Sequence, residues 1–170
     1  SSSAASDVYK RQDLMWVPSV CAVVLRDSTV DSPWAVPDVL LVRRADNGQW
    51  TPVTGIVDPG EEPHVAAVRE VLEETGVKVT AAAIVGVGSH GPVTHCNGDQ
   101  ASYMTVQIRC EPLDPSVEPA VGDDENTEAG WFPVSQMPVT DPKWRLAIGD
   151  AAAQRRHPGS FAPRMGLSKR

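Results

Sequence analysis

Three carboxylates near the middle of the chain have a spacing that suits a hard metal ion. In the segment REVLEETGV (69–77), Glu70, Glu73 and Glu74 follow one another at i, i+3 and i+4. A helix would place all three on one face, where like charges cost about 0.2–0.5 kcal/mol per pair. Carboxylate oxygens are the ligands that Mg²⁺ and Mn²⁺ prefer. A divalent cation would therefore turn this repulsion into binding.

A solvated helix face is the alternative explanation for these glutamates. Such a face usually intersperses lysine or arginine with glutamate. Arg69 is the only lysine or arginine in residues 61–77, and it could orient one carboxylate but not neutralise all of them. The composition of the segment therefore favours a metal site over a solvated face.

The glutamates are predicted to lie on a helix over residues 63–75, preceded by a glycine-containing loop (54–63). Pro63 suits the first helical position, and Gly76 suits the C-terminal stop. A helical wheel places Ala66 and Ala67 beside the glutamates. The larger aliphatic side chains fall on the opposite side and are predicted to pack on a sheet: Val65, Val68, Leu72 and, more peripherally, Val71. In the loop, Gly55 and Gly60 permit close backbone approach to a metal or phosphate.

Together these residues resemble the Nudix box, GX5EX7REUXEEXGU, in which U is a bulky aliphatic residue. Gly55, Glu61 and the segment 69–77 match every fixed position. The resemblance implies an α/β class protein with the Nudix fold, an α/β/α sandwich around a mixed β-sheet, in a domain over residues 14–156. It also implies metal-dependent hydrolysis, with Mg²⁺ or Mn²⁺, of a nucleoside diphosphate linked to another moiety, in the ADP-ribose, nucleotide-sugar or NTP class.

The resemblance further implies roles for individual residues. Arg69 and Glu61 would pair and hold the loop against the helix. The implied metal ligands are Glu70, Glu73, Glu74 and the carbonyl oxygen of Gly55, which would also face the substrate.

The resemblance also implies a further carboxylate from a later loop, and the acidic loop at 112–128 offers candidates. Glu125 is the first candidate, with Glu128 and Asp124 behind it, and simple solvation of this loop is the alternative. Either Glu70 or Glu125 could act as the general base that hydrolysis needs.

Cationic and aromatic side chains are the candidates for binding the phosphates and the base of a substrate. Arg43 and Arg44, at the end of a predicted strand (38–45), could bind phosphate or could be surface arginines. Side chains that could stack on a base, or pack instead, are Trp34, Trp50, His95 and Tyr103.

The remaining elements predict a mixed sheet covered by helices. Strands are predicted at 19–27, 38–45, 81–90, 101–111 and 129–138. A second helix is predicted at 141–156, where Asp141 and Pro142 suit its start. Residues 1–13 are interpreted as a disordered lead-in or cloning remnant, and residues 157–170 as a loose tail.

Composition narrows the function classes. A chain of 170 residues with 41% hydrophobic residues can build one domain core, and it contains no apolar run long enough to cross a membrane. The net charge of −7 argues against nucleic-acid binding but allows a nucleotide-type small molecule if metal ions supply positive charge. The three cysteines show no CxxC spacing, which favours a reducing cytoplasm over a zinc site or disulfide framework. The resemblance is compatible with a homodimer.

Two other function classes are weighed against hydrolysis. Nudix-fold domains that sense ligands without hydrolysing them usually lose box carboxylates, whereas none is missing from this sequence. A plain acidic structural domain would show no stabilisation by Mn²⁺ or nucleotide.

Overall fold

The computed structural model describes residues 14–166. Its strands are β1 (Leu14–Arg26), β2 (Asp38–Arg44), β3 (Trp50–Thr51), β4 (Val53–Ile56), β5 (Val79–Thr94), β6 (Gln100–Pro112), β7 (Asn126–Pro133) and β8 (Arg164–Met165). The helices within this part of the chain are α1 (Pro63–Thr75) and α2 (Pro142–Arg156). Neither of them is long and apolar enough to span a lipid bilayer.

The strands form one mixed sheet that branches at β1 and at β2. Its order is β3-β2-β1-β6-β5-β8, with β4 also paired to β1 and β7 to β2. β1 runs parallel to β6 along one edge. On the other edge it pairs antiparallel first with β4, through residues 19–22, and then with β2, through Leu25 and Arg26. Gly55, near the end of β4, is thereby held opposite Val20 in the middle of β1.

The alternation of side chains along β1 builds two separate cores. Successive strand residues point to opposite faces of a sheet. Val20, Ala22 and Val24 pack into the core under α1. Cys21 and Val23 pack with α2 on the other face. This arrangement confirms the α/β/α sandwich around a mixed sheet.

Both helices begin and end close to the predicted residues. Pro63 starts α1, and Gly76 ends it with a φ of 73° while its N–H donates to the carbonyl of Leu72. Asp141 caps α2 by accepting a hydrogen bond from the backbone N–H of Lys143 at 2.8 Å. Local capping preferences were therefore enough to locate both helices.

The predicted buried face of α1 was correct only in part. Val65 and Leu72 are 48% and 44% exposed, and Val68 is only partly buried. The helix packs on the sheet mainly through Ala66, Ala67 and Val71, of which only Val71 was predicted to do so, and Glu74 is buried with them. Small side chains let the helix lie close to the sheet, so the largest aliphatic residues did not mark the interface. As a consequence, the acidic face is partly turned inwards.

Several segments are more regular than expected. Residues 54–56, predicted to begin a loop, belong to β4, and the β5–β6 hairpin extends beyond the predicted strand ends. The C-terminal segment was expected to be loose, yet residues 164–165 pair in parallel with Gly86 and Val87 of β5. The side chain of Arg164 also bonds Asp150 at 2.7 Å. Residues 1–13 and 167–170 lie outside the described part of the chain.

Candidate active site

Arg69 joins the glycine loop to α1. Its Nε and one terminal nitrogen donate to the two carboxylate oxygens of Glu61, each at 2.8 Å, and the same terminal nitrogen donates to the carbonyl of Ile56 at 3.0 Å. Hydrogen bonding to this guanidinium lowers the pKa of Glu61 to about 2. The other terminal nitrogen donates to Glu70 at 2.9 Å and to Glu73 at 3.2 Å. One arginine therefore orients three carboxylates, including the Glu61 partner that the family resemblance implies.

Glu70 lies directly against the backbone of Gly55. A Cβ atom at position 55 would overlap the side-chain carbons of Glu70. Only 15% of the Glu70 side chain is exposed, and this burial raises its pKa although the contact with Arg69 opposes the shift. Glycine is thus required at 55 to make room for a carboxylate.

Glu74 belongs to a compact group of three carboxylates. One carboxylate oxygen from each of Glu74, Asp123 and Glu125 lies within 4.8 Å of the other two. Glu74 is 4% exposed, and its Oε2 has no hydrogen-bond partner. Burial, with the negative charges of Glu70, Asp123 and Glu125, raises the pKa of Glu74 to about 8. Of the predicted residues, Glu74 and Glu125 meet, whereas Glu73 is mostly exposed.

The acidic loop reaches this group because it docks on the end of α1. The backbone N–H of Ala120 donates to the carbonyl of Thr75 at 2.9 Å, and that of Gly122 donates to the carbonyl of Glu74 at 3.0 Å. These bonds satisfy carbonyls that a helix end leaves without partners. A Cβ at position 122 would overlap the carbonyl oxygen of Glu73. The close docking, which places Asp123 and Glu125 beside Glu74, therefore depends on glycine.

We expect Gly122→Ala to weaken Mn²⁺ binding by about tenfold, because metal affinity is sensitive to the groups that orient its ligands. The added methyl group would push the loop, with Asp123 and Glu125, away from α1. Isothermal titration calorimetry with Mn²⁺ would measure the change. Gly149→Ala is the control, because a Cβ there meets nothing within 4 Å. Equal Mn²⁺ affinity in the two variants would contradict the positioning role of Gly122.

A cavity of about 530 Å³ opens beside these carboxylates. Glu70, Glu125 and Gly55 line it, and so does Arg44, whose guanidinium bonds both carboxylate oxygens of Asp46 at 3.0 and 2.7 Å. Of the two candidate phosphate-binding arginines, Arg44 therefore lines the cavity and Arg43 does not.

Arg43 is absent from the residues that line the cavity. It bonds Glu128 at 2.8 Å and the carbonyl of Gly48 at 3.0 Å. Glu128 is thus engaged in a surface ion pair. Within the described residues, neither Glu128 nor Asp124 belongs to the carboxylate group of Glu74, Asp123 and Glu125.

Part of the cavity wall carries rings and a lysine. His95 Nε2 and the Tyr103 hydroxyl lie 2.8 Å apart, and His90 stacks on the Tyr103 ring with centroids 5.1 Å apart. Lys143 and Trp144 complete this wall. The other two stacking candidates lie elsewhere.

Trp34 is 89% exposed and does not line the cavity. Trp50 packs edge-on against Phe132, with ring centroids 4.9 Å apart. Only His95 and Tyr103, of the four aromatic candidates, can face a ligand in this cavity.

A comparison with known families decides the identity of the domain. The family model described as "NUDIX domain" matches residues 15–153. This chain belongs to the NUDIX family. The Nudix chain is 40% identical over 73 residues to a "Putative 8-oxo-dGTP diphosphatase" from Bacillus subtilis. That match covers 43% of this chain and 44% of the relative, so the chain spans less than half the length of that protein.

Solved structures show the same fold. An ADP-ribose pyrophosphatase from Streptococcus suis superposes with a TM-score of 0.63 at 20% identity, covering 88% of this chain and 98% of that one. A NUDIX hydrolase from Nitrosomonas europaea superposes with a TM-score of 0.59 at 25% identity, covering 86% and 92%. The first likeness, at this identity, supports the Nudix fold alone.

The donors in this Nudix site fit a hard divalent cation. A buried carboxylate oxygen without a partner is costly, and Glu74 has such an oxygen next to two further carboxylates. A cation bound there would supply the missing partner and offset the repulsion. The oxygen-only donor group suits Mg²⁺ or Mn²⁺.

Sequence reasoning missed Asp123, His90 and Lys143. Asp123 stands in the acidic run GDDEN, so the sequence signalled a carboxylate there but not which one. The docking of Gly122 selects it. No pattern in the sequence pointed to Lys143 or His90, because both enter the cavity only through the packing of β5 and α2 around β1.

Proposed function

We propose that this Nudix domain hydrolyses a phosphoanhydride bond in a nucleoside diphosphate linked to another moiety, with Mg²⁺ or Mn²⁺ as cofactor. The observation that carries the proposal is the buried oxygen of Glu74 without a partner, in a group with Asp123 and Glu125. Glu70 and Glu125 also line the cavity, so the carboxylates and a nucleotide-sized space adjoin.

The residues proposed to hold the metal are oxygen donors on α1, β4 and the acidic loop. They are Glu70, Glu73, Glu74, Asp123, Glu125 and the carbonyl oxygen of Gly55. A bound divalent ion would polarise phosphoryl oxygens and lower the pKa of bound water. Asp123 joins this set because of its place beside Glu74, not because of the Nudix box.

The protein's own groups would position and deprotonate the reactants. Arg69 keeps Glu70 and Glu61 in place through its hydrogen bonds. A general base must reach the attacking water directly or through one water. Glu70 and Glu125 both border the cavity and are the two proposed bases. Arg44, which is hydrogen-bonded to Asp46 and lines the cavity, would contribute positive charge toward the phosphates of a bound substrate.

The names of similar proteins support nucleotide substrates. The Bacillus subtilis relative is named for 8-oxo-dGTP, and the Streptococcus suis neighbour for ADP-ribose. These two substrates share a pyrophosphate linked to a nucleoside. The proposal extends only that shared chemistry to the present chain.

Incubation with Mg²⁺ and a substrate panel tests the proposal. The panel contains ADP-ribose, dinucleoside polyphosphates, NADH, nucleotide sugars, NTPs and oxidised NTPs, with phosphate-containing products resolved by chromatography. We expect cleavage of at least one compound, loss of that cleavage in EDTA, and a marked loss in Glu73→Gln. Tight nucleotide binding without turnover would contradict hydrolysis and favour a sensing role.

The homodimer stays a prediction that light scattering would test.

A further inference from the structure

Arg44 is a cation of the protein that lies beside the carboxylate group of Glu74, Asp123 and Glu125. The backbone N–H of Ala45, the next residue along the chain, donates to the carbonyl of Glu125 at 2.8 Å. Arg44 and Glu125 also line the same cavity. The long side chain of Arg44 is therefore attached next to the loop that carries two of the proposed metal ligands.

Strand geometry places Arg44 on the side of the sheet that α1 covers. Val42, two residues earlier on β2, packs in the core under α1, and alternate residues of a strand share one face. The hydrogen bond to Asp46 is the main cause of a raised pKa for the Arg44 guanidinium. The negative charges of Glu125 and Glu74 raise that pKa further, although burial opposes the shift. The guanidinium is thus close enough to interact electrostatically with the carboxylate group.

Despite this closeness, Arg44 makes its ion pair with Asp46. Its Nε and one terminal nitrogen donate to the two carboxylate oxygens of Asp46 at 3.0 and 2.7 Å. Among residues 14–166, no ion pair joins Arg44 to Glu74 or Glu125. The Oε2 atom of Glu74 has no hydrogen-bond partner in that part of the chain. An oxygen without a partner and a guanidinium therefore lie in the same region without pairing, because the guanidinium is already bound to Asp46.

A guanidinium inside the carboxylate group would compete with a metal ion for the same oxygens. Arginine stays charged in proteins, and its planar set of N–H donors matches the two oxygens of a carboxylate. A divalent cation would have to displace it before binding. An arginine at this place consequently needs a counter-ion of its own if the carboxylates are to bind metal.

We propose that Asp46 is a positioning residue, which holds Arg44 out of the carboxylate group and so keeps that group open to a divalent cation. The inference rests on the metal site of the proposed function and adds to it a residue outside the Nudix box. Asp46 acts through Arg44, since its hydrogen bonds keep the guanidinium in the cavity wall, where it would meet the phosphates of a bound substrate.

Asp46→Ala is the test, and the measurement is the Mn²⁺ affinity of the full chain by isothermal titration calorimetry without nucleotide. We expect the affinity to fall by about fivefold, the factor that corresponds to an exposed ion pair. Asp46→Glu keeps a carboxylate for Arg44 and should bind Mn²⁺ nearly as well as wild type. Glu128→Gln is the matched control, because it releases Arg43 from an ion pair of similar exposure outside the cavity, and it should leave the affinity unchanged.

Removal of Arg44 separates the positioning role of Asp46 from the loss of one negative charge. In an Arg44→Met background, Asp46→Ala should change Mn²⁺ affinity by less than about twofold, because no guanidinium is left to enter the carboxylate group. If Asp46→Ala weakens Mn²⁺ binding equally with and without Arg44, Asp46 acts only by its charge or on the structure of the turn, and the inference is overturned. Unchanged affinity in Asp46→Ala alone would also overturn it.

Metal binding and hydrolysis can fail separately in this design. If wild type binds Mn²⁺ but cleaves no compound of the panel, the proposed hydrolysis fails, and the comparison of the two backgrounds still decides the role of Asp46. If wild type cleaves a substrate and all variants bind Mn²⁺ equally, the proposed function stands and the inference fails. If wild type binds no Mn²⁺, the metal site and the role of Asp46 are overturned together.

Discussion

Glu74→Gln is expected to reduce hydrolysis by about 100-fold or more and, in the absence of metal, to stabilise the protein. Glu74 lies in the carboxylate group with Asp123 and Glu125, and its Oε2 has no hydrogen-bond partner. Loss of its charge removes a proposed metal ligand, and even groups that only orient ligands are worth about 10–100-fold. The initial rate at saturating Mg²⁺ would measure the first effect.

The stability effect follows from the direction of the pKa shift. The pKa of Glu74 is raised from 4.5 to about 8 in the folded protein, so the folded state holds a proton that the unfolded chain has released. The contribution of this group to stability is complete below about pH 4.5 and is lost as pH rises through 8. Glutamine avoids that loss, so its advantage should grow with pH to about 2–4 kcal/mol.

Urea unfolding in EDTA at pH 5.5 and pH 8.5 would measure this advantage. Glu73→Gln is the matched control, because it makes the same substitution at a neighbouring glutamate whose side chain is 56% exposed. If Glu74→Gln and wild type have the same free energy of unfolding at pH 8.5, Glu74 does not carry a destabilising buried charge.

Gly55→Ala is expected to lower kcat/KM by about 100-fold, since a displacement of about 1 Å in a catalytic group can cost that much. The added Cβ would overlap the side chain of Glu70, which must then leave its place beside Arg69. Gly149→Ala, where a Cβ meets no atom within 4 Å, is the steric control. Steady-state kinetics on the substrate found in the panel would measure the loss.

A double-mutant cycle shows whether Gly55 acts through Glu70. The double variant Gly55→Ala/Glu70→Ala should be no less active than Glu70→Ala alone, because the displaced group is already absent. If the two losses add instead, the alanine at 55 disturbs the β4 backbone and does not act through Glu70.

The Nudix box could be predicted from sequence because its parts are close along the chain. Pro63 and Gly76 locate α1 by backbone preferences that act within one helical turn. The spacing of Arg69 and Glu61 brings their side chains together across a single loop. Local geometry is enough to predict the ends of α1 and the pairing of Arg69 with Glu61, and both are present in the structure.

The buried face of α1 could not be predicted in the same way. A helical wheel ranks residues by their own hydrophobicity, whereas burial depends on the surface that the helix meets. β1 and β4 present a surface that accepts Ala66, Ala67 and Val71 at close range, leaving Val65 and Leu72 exposed. For the same reason Glu74 is buried, and the effects expected of Glu74→Gln follow from that burial.

The sequence by itself determined which chain segment carries the carboxylates, where α1 begins and ends, and the resemblance to the family. Tertiary structure alone decided which groups complete the site. Asp123 joins Glu74 because Gly122 docks the acidic loop on the end of α1. Lys143 enters the cavity because α2 packs across the sheet from α1. Contacts between segments so far apart in sequence depend on the packing of the whole sheet, which no local pattern encodes.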